Sequence, residues 1–247
     1  MIRFSAEFRR GVAMLIKPTL VSSVLLLSLA SCATYTTPGR PANLGTFTDP
    51  KVKKAYVARP AIKFPANIAV VRVQESGYRS DSGRAHGSGA YSVVTTRDIE
   101  RAGDLEKLQK LPGLEGVATL NRLLLPESLN SDEDLREAAA KLQADAILIY
   151  TVSTEFRNDD VVPPLTVLSL GLLSVNRFEI TSSASAVLMD TRTGYIYGAL
   201  EENNDKVGGS FIFDGSDLAR KKAERSAYEK LLAAFDPFWR KTYARYH

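Results

Sequence analysis

The chain is poor in the residues that most often carry chemistry: its 247 residues hold one cysteine, one tryptophan, three methionines and two histidines. A single thiol excludes an internal disulfide, so stability in an oxidising compartment must come from packing alone. His86 lies within a Gly-rich stretch and His247 is far from it, so neither a Ser/His/Asp triad nor a His-rich metal site has its parts. A strong charge of one sign is missing as well. The 32 basic and 28 acidic residues fall to 28 and 27 when Arg3, Arg9, Arg10, Lys17 and Glu7 of the first segment are set aside. A balance near neutrality removes the argument for a nucleic-acid partner.

What the first segment does contain is specific. Four basic residues precede an apolar stretch, residues 20–30, which ends in Leu29-Ala30-Ser31-Cys32. That order of aliphatic, small, small and Cys matches the bacterial lipobox, and the basic and apolar regions before it match a secretory signal. The apolar stretch is well short of the roughly 20 residues that span a bilayer as a helix, so cleavage is expected between Ser31 and Cys32 rather than retention of a membrane span. Cys32 is then the lipidation site, carrying a diacylglyceryl thioether and an N-acyl chain such as palmitate. Each buried methylene contributes about 0.8 kcal/mol, so two or three chains make a lasting anchor. Ala33 in place of an Asp resembles proteins sorted to the outer membrane, on its periplasmic face.

Three regions follow: residues 1–31 as signal peptide, 32–65 as a lipidated tether interrupted by Pro and Gly, and 66–247 as the folded domain. Residues 57–64 are apolar enough to dock on that domain. Residues 68–73 form a β-branched run suited to a buried strand, residues 77–89 a loop, and residues 90–96 a short strand. Residues 98–111 have helical spacing, and residues 116–125 read as a strand. Ser131 with Asp134 makes a capping box for a helix to about residue 143. Residues 144–152 are the strongest strand. Residues 178–189 alternate, with Phe178, Ile180, Ala184, Ala186 and Leu188 on one face, and Asp190-Thr191-Arg192-Thr193-Gly194 turns the chain into a return strand at 195–200. A long helix is expected over 217–235, capped by Ser216, with the small stripe Ala219, Ala223, Ala227 and Leu231, ended by Asp236-Pro237.

The order strand, helix, strand, helix, strand, hairpin, helix resembles the periplasmic domain shared by the curli secretion lipoprotein, the N-terminal domain of TolB and the lipoprotein activators of penicillin-binding proteins. The element Leu135-Arg136-Glu137-Ala138-Ala139-Ala140-Lys141-Leu142-Gln143-Ala144-Asp145-Ala146-Ile147-Leu148 and the turn Val187-Leu188-Met189-Asp190-Thr191-Arg192-Thr193-Gly194 carry that resemblance. It implies an α/β (α+β) fold with a single mixed β-sheet and helices packed on it. The two long amphipathic hairpins of a secretion pore are not evident. Asp145 and Asp190 both read as architectural, accepting backbone hydrogen bonds at chain reversals.

No site for catalysis emerges. The stretch Gly83-Arg84-Ala85-His86-Gly87-Ser88-Gly89 lacks the Lys of a phosphate loop, and Glu155, Asp159, Asp160, Glu201 and Glu202 show no spacing that singles out an acid/base pair. The expected role is therefore a non-enzymatic envelope interaction or assembly module with no cofactor, alternatives being a homo-oligomeric secretion-type component or a glycan-active enzyme. Its partners are the membrane, through the lipid, and an envelope protein or further copies of itself. Residues 161–175 contain no charge, and with Leu165, Leu168, Leu170 and Leu172 they suit a lid over the core, a membrane contact or a subunit interface. Trp239, among the aromatics near the end of the sequence, marks a second candidate surface, unless that cluster closes the base of the sheet.

Replacing Cys32 with Ala should abolish acyl labelling and block normal signal cleavage, as read by metabolic labelling and a mobility shift. A chain starting at Ala33 behind a soluble-export signal should then fractionate free of the membrane.

Overall fold

The computed structural model describes residues 56–80, 83–159, 176–204, 207–211 and 216–247. Ser31, Cys32 and residues 161–175, with Leu165, Leu168, Leu170 and Leu172, lie outside the described residues. The framework is one open sheet. Strand β1 (Ala66–Gln74) is followed by the short strands β2 (Arg79–Ser80), β3 (Gly83–Arg84), β4 (Ser88–Gly89) and β5 (Ser92–Val94), helix α1 (Ala102–Gln109) and strand β6 (Leu114–Thr119). Then come β7 (Ser128–Leu129), α2 (Asp132–Lys141), the long hairpin β8 (Ala146–Asp159) and β9 (Asn176–Asp190), β10 (Ile196–Asn203), β11 (Val207–Phe211) and helix α3 (Ser216–Tyr246).

Seven of these strands form the main mixed sheet, in the order β10-β9-β8-β1-β5. Two edges are each shared by a pair of strands. Strand β11 continues the outer edge of β9 beyond β10, while β6 lies parallel to the first half of β1 and β5 antiparallel to its end. Strands β1, β6 and β8 are mutually parallel, and β9 returns antiparallel to β8 from Ala146 opposite Asp190 to Asp159 opposite Arg177.

Because β1 is central, both of its faces are buried, which is why it reads as a continuous apolar run. Ile68 and Val70 face one core with Leu148, Tyr150, Ala184, Ala186 and Leu188, covered by α1 and α3. Ala69, Val71 and Val73 face the other with Ile147, Ile149 and Met189, covered by α2. The alternation expected in β9 is observed at Ile180, Ala184, Ala186 and Leu188, all buried. So is the Ser131 capping box, in which Asp134 accepts the Ser131 N–H at 2.9 Å.

Four sequence expectations need correction. The strand expected at 116–125 begins at Leu114 and gives way to a 3₁₀ turn, Arg122–Leu124, because the Asn121 side chain accepts the Leu123 N–H at 3.0 Å. The loop expected at 77–89 contains the short strands β2, β3 and β4. Asp236-Pro237 does not end the last helix, which runs through Pro237 to Tyr246. An interior proline costs about 3 kcal/mol, but Phe235 and Trp239 on either side are 1% and 0% exposed. At roughly 25 cal/mol per Å² over about 150 to 250 Å² each, their burial outweighs that cost. The fourth correction follows directly: Trp239 is not a surface residue, since its ring sits in the core and its Nε1–H donates to the Pro112 carbonyl at 2.9 Å. The aromatics close the base of the sheet while Arg240, Lys241 and Arg245 face water.

The two aspartates of the resemblance tie that base together. Asp190, fully buried, accepts the N–H groups of Arg192 and Thr193 at 2.9 and 3.0 Å through Oδ1, and the Ala61 N–H and Tyr197 hydroxyl, both at 2.7 Å, through Oδ2. Asp145 reaches across to accept the Asn67 N–H at 3.0 Å and the Arg192 guanidinium at 2.9 Å. The bond from Ala61, the burial of Ile62 and the edge-on contact of Phe64 with Tyr243 at 4.9 Å dock residues 61–64 on the domain.

Gly194 has φ of +71° in the turn set by Asp190, and an added Cβ would meet nothing nearer than 3.5 Å. Gly194→Val should therefore destabilise through backbone strain rather than collision, by about 1 kcal/mol or more, measured by denaturant unfolding.

Candidate functional site

Strands β5 and β6 share one edge of β1 but do not meet: β6 pairs through Val70 and β5 from Arg72 onward. Between them opens a cavity of about 60 Å³. The chain leaving β5 goes to α1 on one face, and the chain leaving β6 goes to α2 on the other. Such a divergence of connections beside the carboxyl end of a parallel strand is where α/β sheets form ligand crevices. Whole-ligand pockets usually measure about 300 to 1,000 Å³; this one admits several waters or the head of a small molecule.

Charged and polar side chains stand among the apolar ones on its walls. Arg72 occupies the inward position after Ile68 and Val70 on β1, with a side chain 1% exposed. One guanidinium nitrogen donates to Asp98 at 2.8 Å and another to Glu224 of α3 at 3.2 Å. Glu224 also accepts from Arg220 at 2.8 Å and from the Thr154 hydroxyl at 3.2 Å, so one buried carboxylate joins α3 to both β1 and β8. Burial opposes the Arg72 charge, and the Glu224 and Glu100 carboxylates more than reverse that effect, leaving the guanidinium firmly protonated. Its Nε, the Tyr78 hydroxyl and Asp98 Oδ2 have no hydrogen-bond partner among the described residues.

Tyr150, also on the lining, donates a hydrogen bond to Glu100 and stacks at a tilt on Tyr228, with ring centroids 5.0 Å apart. Burial first, then the Glu100 charge, hold the Tyr150 phenol well above its ordinary range, so it stays a donor. On the α1 side, Asp104 takes a bidentate grip from Arg225 and the Arg101 N–H at 2.8 Å. Burial would raise its carboxyl, but these bonds together with the Arg225 charge keep it below the usual range.

The structure places the residues singled out by sequence elsewhere. Glu155 and Glu201 are exposed on strands away from the cavity, and Asp160 is outside the described residues. The Gly83–Gly89 stretch is not an anion nest, because the N–H groups of His86, Ser88 and Ala90 donate to the carbonyls of Val93, Glu127 and Leu129. Sequence reading missed Arg72, Glu100, Tyr150, Glu224 and Arg225. One signal was present: a charged residue at the inward position of an apolar alternation needs a partner across the fold. No group of His, Cys, Asp and Glu suited to a metal ion occurs among the described residues.

No protein-family model and no curated protein matches the sequence. A solved structure, that of a DUF330-family protein from Xanthomonas campestris, is similar over 76% of this chain and 92% of its own, at 13% identity and a TM-score of 0.33. That degree of likeness carries no argument about what the site does.

Removing Glu224 would take one carboxylate partner from two buried guanidinium groups, Arg72 and Arg220. Glu224→Ala should cost about 3 to 5 kcal/mol in chemical denaturation, whereas the exposed pair of Lys141 and Glu137, 2.9 Å apart on α2, should tolerate Glu137→Ala within about 0.5 kcal/mol.

Proposed function

We propose that the protein is a lipid-anchored periplasmic module, without enzymatic activity of its own, that works by holding an interaction surface close to the outer membrane. Cys32 carries the lipid, and the bond between Ser31 and Cys32 is the one cleaved. Tethering confines the domain to a thin layer and raises its effective concentration for membrane-bound partners, so modest contacts suffice. On this reading the fold is a variant of the periplasmic domain of the curli secretion lipoprotein and TolB, with the contact surface supplied by residues 161–175.

The observation that supports the contact role is the register of the β8–β9 hairpin. Fourteen paired positions run from Ala146 opposite Asp190 to Asp159 opposite Arg177, a ladder on the order of 40 Å long. Strand β1 pairs only with its first part, through Ile149, while the outer part is backed by Phe156 and Ile180 against Ala219 and Ala223 of α3. Both ends of the uncharged segment thus attach at the far end of a braced arm, opposite the base tied by Asp145 and Asp190. A partner envelope protein or a second copy is the occupant this arrangement favours.

The test is crosslinking in intact cells followed by mass measurement of the detergent-extracted protein. Wild type should give a defined crosslinked species, and the triple substitution of Leu168, Leu170 and Leu172 by Ser should remove it without lowering the unfolding midpoint. Unchanged crosslinking in that variant, or cleavage of purified peptidoglycan by the wild-type protein, would overturn the reading.

A further inference from the structure

The charges around the cavity can be matched one by one. Arg72 and Arg220 answer Asp98 and Glu224. Lys221 answers Asp217 at 2.7 Å, and Arg225 and Arg101 answer Asp104 and Glu229. Two charged groups on the wall are less closely matched. Glu100 accepts the Tyr150 hydroxyl and the Ile99 N–H, and its nearest cation is the already matched Arg72 at 3.9 Å. Among the described residues Arg97 makes one long hydrogen bond, 3.5 Å to the Thr119 hydroxyl. Both line the same cavity, three positions apart in the chain, yet they form no ion pair with each other. Empty cavities in a core are apolar, and polar ones hold water or a ligand; on one rim this opening has a carboxylate whose ion pair is the long one to Arg72 and a guanidinium with no ion pair among the described residues.

We infer that the cavity binds a small zwitterion of the α-amino-acid type, its ammonium directed inward to Glu100 and its carboxylate held at the mouth by Arg97. The depth order follows from exposure: the Glu100 side chain is 16% exposed, and Arg97 is open to solvent. The tilted Tyr150 and Tyr228 rings offer the inward ammonium an aromatic wall. A guanidinium at the mouth suits a carboxylate because its donors fit the two oxygens together. At about 60 Å³ the cavity takes the charged head, leaving any longer side chain to emerge through the opening. The inference goes beyond the anchoring role and does not depend on it.

The experiment is isothermal titration calorimetry of the full-length, detergent-extracted protein with glycine, D-alanine, methylammonium and acetate. Glycine or D-alanine should bind, while methylammonium and acetate, each presenting one of the two charges, should bind at least about tenfold more weakly, since a hydrogen bond to a charged group contributes about 1.5 to 3 kcal/mol. Diglycine, whose charges are separated by a peptide unit, distinguishes a free amino acid from a peptide: comparable diglycine binding would overturn the α-amino-acid assignment. Arg97→Gln and Glu100→Gln should each weaken amino-acid binding about tenfold or more, with their unfolding midpoints recorded alongside. If a variant fails to fold, the selectivity of the wild-type protein decides by itself. Absence of binding by both amino acids, binding of acetate or methylammonium as tight as that of glycine, or undiminished binding in two folded variants would overturn the assignment.

Discussion

Burying the guanidinium of Arg72 in the middle of the sheet constrains most of what surrounds it. A cation removed from water is tolerated only when paired and hydrogen-bonded, and its partners come from distant segments: Asp98, 26 residues along the chain, and Glu224, 152 residues along. Glu224 must therefore face the sheet, which fixes the rotation of α3 and presents Ala219, Ala223 and Ala227 to the strands. Asp98 in turn holds the connection into α1 against β1. Such a network adds little net stability over an apolar core, but it penalises every arrangement in which one partner is absent.

The cavity is a consequence of the same constraint. With Arg72 on β1 satisfied at close range by Asp98 and Glu224, Glu100 keeps only a long ion pair to it and is held by a phenol, and the two strands that share β1's edge separate beside Arg72. The sheet thus combines a locked interior with an opening beside it, at the place where its connections part to opposite faces. A locked wall suits recognition, because its groups do not have to be reorganised when a ligand arrives.

The opposite end follows another principle. Asp145 and Asp190 collect backbone N–H groups, a tyrosine hydroxyl and a guanidinium, and so join the start of β1, the β9–β10 turn and the docked residues 61–62. On the proposed reading, the lipid signal serves the membrane and the uncharged segment serves a partner. In the proposed function, the domain is a rigid spacer between a base that receives the tether and an arm that meets something else.

Local patterns were legible where the physics is local. The Ser131 capping box, the alternation of β9, the small stripe of α3 and the positive φ at Gly194 each depend on residues within a turn or a strand of one another, so the amino-acid order alone determined the mixed α/β class and the sequence of the main elements. The end of the last helix and the place of Trp239 depended on a competition between the proline's local cost and aromatic burial against strands far away in the chain, and only packing could resolve it. The candidate site was hidden for the same reason. Arg72, Glu100, Tyr150 and Glu224 stand in four separate elements or connections, and what gives them meaning is which charge meets which, a matter of distance in the folded chain that no spacing along the sequence encodes.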